Sequence, residues 1–114
     1  MRRCTTELSD ELRDRIRKSL MPLQPEKVIV YGSRARGGTG QDSDIDLIVV
    51  LDSENVPQNY RERMQNRLVV RRALDALNRD YALDVLVYTS AEWKRFREMG
   101  SAFSREVVRE GVEL

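Results

Sequence analysis

The chain has 114 residues, 40% hydrophobic and 34% charged, which is the make-up of one folded domain over residues 1–114 and not of a disordered tail. Its 20 basic and 19 acidic residues leave a formal net charge of +1, so direct capture of nucleic acid by the whole surface is not expected. With no histidine and one cysteine, Cys4, it lacks the means for His-based nucleophile or general-base chemistry, histidine metal sites, a thiolate zinc cage or an internal disulfide.

Leu8, Leu12, Ile16 and Leu20 recur every fourth residue and predict a helix over 5–20, its well-formed part starting at Ser9, Asp10 and Glu11. Pro22 and Pro25 close it. Lys27 to Tyr31, β-branched and aromatic, reads as a strand. The run from Gly32 to Gly40 reads as a sharp turn opening into a glycine loop. Asp44 to Leu51 is the strongest strand signal; beyond its aspartates it is apolar on both alternating faces, as in a central strand covered on two sides. Asp52 to Asn59, with Pro57, is a loop.

Tyr60 to Leu77 reads as a helix whose inner face holds Met64, Val70, Ala73, Leu74 and Leu77. Arg63, Arg67 and Arg71 lie four apart opposite much of that face, as a solvated stripe or a docking surface for an acidic partner or phosphate. Tyr81 to Tyr88 is a third strand. Thr89-Ser90-Ala91-Glu92 is a capping-box signature for a helix through about Met99, ended by Gly100. Trp93 and Phe96 on it read as core or dimer contact. Phe103 to Arg109 is a short last helix, with Gly111 as its C-cap. Strands alternating with helices predict an α/β (α+β) fold, a small mixed sheet covered by helices. The longest apolar run, Leu47 to Leu51, is too short for a membrane span, and the charged start lacks a signal-peptide core, so a cytoplasmic protein with no membrane partner is expected.

The remaining chemical tools are carboxylates, hydroxyls and arginines, and clustered carboxylates suit hard cations. Asp44 and Asp46 lie two apart on a strand, so they project to one face with Cα atoms roughly 7 Å apart. Asp84, flanked by Leu83, Val85, Leu86 and Val87, needs a partner if ionised, and a neighbouring strand would bring it to the same cation. Gly32 and Ser33 directly after the first strand would let a backbone approach an anion, with Arg34 and Arg36 supplying positive charge. Plain alternatives stay open: surface solubility for Asp44 and Asp46, and a hairpin loop for the glycines. The glycine run is a poor phosphate-binding P-loop, because Gly38 stands where its lysine should be.

Together, the strand before Gly32-Ser33, the Asp44-Ile45-Asp46 run with its apolar strand, and the later strand carrying Asp84 resemble the polymerase β-like nucleotidyltransferase superfamily. Within it, Gly32-Ser33-Arg34-Ala35-Arg36-Gly37, Ser43-Asp44-Ile45-Asp46-Leu47 and the small size are similar to the minimal nucleotidyltransferases (MNT proteins), which are paired with a helical HEPN protein in toxin–antitoxin modules. The resemblance spans nearly the whole chain. It implies a nucleotidyltransferase fold and magnesium-dependent transfer of a nucleoside monophosphate, AMP from ATP, to a hydroxyl with release of pyrophosphate. By position, it implies that Gly32 and Ser33 hold the triphosphate, with Arg36 on its oxygens. Asp44 and Asp46 ligate magnesium, commonly two ions, and Asp84 is the third carboxylate, a metal ligand or proton acceptor beside the acceptor hydroxyl. The implied acceptor is a tyrosine of a HEPN toxin, for which the chain acts as antitoxin. Two alternatives are a non-catalytic antitoxin that neutralises its partner by contact and an aminoglycoside-type small-molecule transferase. No acceptor-binding domain is visible, so that surface is expected from a partner, and a homo-oligomer is possible.

Overall fold

Among the described residues, three runs rich in valine, isoleucine and leucine and one two-residue segment form one sheet: β1 (Lys27–Tyr31), β2 (Ile45–Leu51), β3 (Leu83–Thr89) and β4 (Val112–Glu113). The structure is a computed structural model and describes residues 10–31 and 45–114. The strand order is β3-β2-β1-β4. β1 runs antiparallel to β2 and β4, whereas β2 and β3 are parallel. The sheet is therefore mixed, as the sequence suggests. A parallel pair needs a crossover connection, and α2 (Tyr60–Ala73) and α3 (Asp75–Asp80) supply it between β2 and β3.

The alternation of side chains sorts the core into two layers. On one face Val28, Val30, Ile45, Leu47 and Val49 pack with Leu12, Ile16 and Leu20 of α1 (Asp10–Leu20) and with Val70, Leu74 and Leu77. On the other, Ile29, Ile48 and Val50 pack with Trp93 and Phe96 of α4 (Ser90–Met99) and Val107 of α5 (Ala102–Glu110). β2 is buried on both faces, the place its doubly apolar pattern calls for. Trp93 and Phe96 are core residues, stacked on each other with ring centroids 5.2 Å apart.

Several boundaries move, each for a local reason. The expected start of the first helix, residues 5–9, lies outside the described residues; from Leu20 the chain tightens into a 3₁₀ turn, Met21–Leu23, closed by Gln24 at φ 48°. The single helix expected over 60–77 is two. At the joint the Leu74 N–H is shared between the Val70 and Arg71 carbonyls, 3.1 and 3.2 Å away, an overwound turn. The apolar series Val70, Leu74, Leu77 runs through this joint unbroken, so periodicity could not reveal it. β3 starts two residues later than expected because the Tyr81 N–H is engaged by the Leu77 carbonyl at the end of α3. β4 was not expected at all; two residues carry no pattern, and the strand exists through its pairing with Ile29 and Val30. No described helix is long and apolar enough to cross a membrane.

Candidate active site

β2 and β3 are in register, and the partner of Asp46 is Asp84. On the other side of β2, the partner of Asp46 is Tyr31, the last residue of β1. Tyr31, Asp46 and Asp84 therefore form a row across one end of the sheet, on the face that carries Ile48 and Leu86 and is covered by α4 and α5. The α4–α5 turn at Gly100, φ 65°, folds the chain back so that Phe103 meets the Tyr31 ring edge-on, centroids 5.6 Å apart. Phe103 also packs edge-on against Phe96 at 5.7 Å.

The Tyr31 hydroxyl reads the charge of this row. Burial, then the negative charges of Asp46 and Asp84, and finally Tyr88, push its pKa up to about 12. Both carboxylates thus act on one phenol. Paired residues on adjacent strands have backbones about 4.8 Å apart, so two ionised carboxylates here repel, and a divalent cation relieves that repulsion. The donors are hard oxygens from two rigid strands, which fits magnesium.

Asp44, the third expected carboxylate, lies outside the described residues, as do Gly32, Ser33, Arg34 and Arg36. Among the described residues no group of three acidic, cysteine or histidine side chains converges. Tyr31 and Ile45, which flank segment 32–44, both stand at the sheet end that carries the acidic row. The rival acids read differently: Asp80 is ion-paired with Arg15 at 2.9 Å, and Asp75 lies exposed on α3.

One expectation needs correction. The apolar neighbours of Asp84 suggest an enclosed carboxylate in need of a partner, yet Asp84 is exposed. β3 is the edge of the sheet, so solvent reaches the side chain. Sequence reasoning also missed what borders it. Arg67, Arg71 and Asn78 line a cavity of about 330 Å³ together with Leu83, Asp84 and Val85. The four-residue spacing of the arginines was visible; that their stripe flanks the sheet edge was not. A larger hollow between α4 and α5, about 540 Å³, is lined by Lys94, Arg97, Arg105 and Arg109 and by neither carboxylate.

A family model described as the nucleotidyltransferase domain matches residues 9–110. The chain belongs to this nucleotidyltransferase family. Among solved structures, a candidate nucleotidyltransferase from Sulfolobus solfataricus is similar at 21% identity with a TM-score of 0.57, covering 97% of this chain and 87% of that one. A toxin–antitoxin structure with AMP-PNP is similar at 21% identity with a TM-score of 0.46, covering 88% of this chain and 69% of that one. Comparison with curated proteins gives no significant match. The mixed four-stranded sheet with helices on both faces is the nucleotidyltransferase fold. Within this nucleotidyltransferase, the acidic row sets two carboxylates on neighbouring strands, Asp84 exposed on the edge strand and Asp46 half-buried beside it on β2.

Proposed function

We propose that this nucleotidyltransferase is of the minimal, MNT type and transfers AMP from ATP to a tyrosine hydroxyl of a helical HEPN-type toxin, acting as its antitoxin. The observation that carries the reading is the register pairing of Asp46 with Asp84 at an open end of the sheet, in a chain of this family. The glycine-serine and Asp-x-Asp runs support the subtype and the partner.

In this reading Asp46 and Asp84, with Asp44, hold magnesium, two ions when the triphosphate is bound. Magnesium held there would supply neutralisation of charge on the α-phosphate and on the pyrophosphate. Gly32 and Ser33 cradle the triphosphate, and Arg36 meets its oxygens. Asp84 stands outermost, next to solvent, and takes the proton of the incoming hydroxyl. The acceptor oxygen bonds to the α-phosphorus, the bond from that phosphorus to the bridging oxygen breaks, and pyrophosphate leaves with the electron pair.

The test is to incubate the chain with magnesium, labelled ATP and the co-expressed helical partner, and to weigh the partner by mass spectrometry. The expected result is a gain of one AMP, lost with a chelator and reduced at least about a hundredfold in rate by Asp46→Asn or Asp84→Asn. Undiminished transfer by Asp46→Asn would overturn the metal role. Full neutralisation of the toxin by the same variant, without any transfer, would replace the enzyme reading by one of contact alone.

A further inference from the structure

Among the described residues the outer edge of β3, between the acidic row and the arginine stripe, has no backbone partner. The Ala82 carbonyl accepts from the Ile45 N–H, so the even-numbered residues of β3 turn their backbone groups toward β2. In a parallel ladder the alternate residues, Leu83, Val85 and Val87, then turn theirs outward, and among the described residues nothing pairs with them. Beyond the far end of β3, Arg63 of α2 meets Glu92 of α4 at 2.8 Å. Near Leu83–Val85 the edge opens into the cavity bordered by Arg67, Arg71 and Asn78. Neither Arg67 nor Arg71 has an ion-pair partner among the described residues, and both are exposed.

The two faces of this edge differ in sign. Leu83, Val85 and Val87 turn their side chains to the α1–α3 face, where Arg67 and Arg71 stand. Asp84 turns to the other face with Asp46. We propose that β3 receives the acceptor as an added extended strand, its hydroxyl residue facing Asp84 and an acidic residue at each immediately adjoining position held by Arg67 and Arg71. Alternation along a strand makes the offset decisive: a residue one position away faces the arginines, whereas a residue two positions away faces the carboxylates and, with no cation between them, is repelled. An edge strand supplies main-chain hydrogen bonds that a peptide satisfies and a polynucleotide does not, which selects a protein segment over RNA. The inference deepens the proposed transfer and rests on its placement of the acceptor at Asp84.

Binding tests it without requiring the transfer. Fluorescent heptapeptides with a central tyrosine carry two glutamates either next to it or two positions from it, at equal net charge; oligouridylate is the third probe. Anisotropy is read with the whole chain at low salt and without magnesium or ATP. The adjacent-glutamate peptide is expected to bind about tenfold more tightly than its isomer, and Arg67→Glu/Arg71→Glu to erase that margin. Arg17→Glu/Arg97→Glu, the same charge change on other helices, is expected to leave it intact. Amide exchange at Leu83, Val85 and Val87 is expected to slow when that peptide binds. Equal binding of the isomers, no binding of either, or preference for oligouridylate overturns the proposal. Tight, offset-dependent binding in a chain that never transfers AMP upholds the edge and removes the catalytic reading instead.

Discussion

Tyr31 and Asp46 face each other on β1 and β2, and the phenol reports the charge beside it. Its pKa rises from the ordinary 10.0 to about 12 through burial first and the two carboxylates next. Phenolate absorbance, taken as the difference from Tyr31→Phe, is expected to show a midpoint near 12 that falls toward 10 in Asp46→Asn/Asp84→Asn, because fewer negative charges oppose ionisation. The sign for stability follows: the folded chain keeps this proton where the unfolded chain has released it. This contribution is therefore complete below pH 10 and fades as pH climbs to about 12. Urea titrations across that range are expected to decline less steeply for Tyr31→Phe. At this scale the acids were legible, since a charge inside an apolar run demands an explanation. The exposure of Asp84 was not, because neighbours in sequence do not tell whether a strand lies at an edge.

Helix α4 shows how much an element writes into its own sequence. Thr89 accepts a hydrogen bond from the Glu92 N–H at 3.2 Å, and Glu92 returns one from the Thr89 N–H at 3.0 Å. The second Glu92 oxygen accepts from Arg63 at 2.8 Å, tying α2 to the start of α4. Thr89→Ala is expected to cost about 1 kcal/mol by denaturant unfolding, with Thr89→Ser costing less because it keeps the acceptor. In the Arg63 contact the arginine side chain is 49% exposed, which screens the pair, while the Glu92 side chain is 11% exposed. The capping box, the strand β1 and the end of α5 were all legible because their signals are local. The joint at Leu74 was not, since a helix that overwinds by one turn keeps its apolar spacing.

Across the whole molecule, β2 is the element on which both layers close, and β4 fastens the chain end to β1. Gly111 stands at that fastening. A Cβ there would lie 2.6 Å from the Val107 carbonyl oxygen and 2.7 Å from the Ile29 Cγ2, against backbone on one side and a core side chain on the other. Gly111→Ala is expected to cost about 1–3 kcal/mol and to speed amide exchange at the β1–β4 pairs, read by thermal unfolding and by exchange at Val30 and Val112. Its φ of −68° is open to any residue, so the effect would come from crowding alone. Crowding of this kind joins residues 82 apart in sequence, Ile29 and Gly111, and no local pattern announces it.

Periodicity decided which segments are helix and which are strand, and the two-sided apolar run of β2 decided that it is central. Those signals repeat within a few residues, so the chain carries them wherever it lies. The direction of β3 beside β2, the residue that Asp46 faces, and the meeting of Arg67 and Arg71 with the edge at Asp84 came only with the folded sheet. Each depends on register between distant segments. A shift of one residue would send Asp84 to the opposite face while leaving every local pattern unchanged.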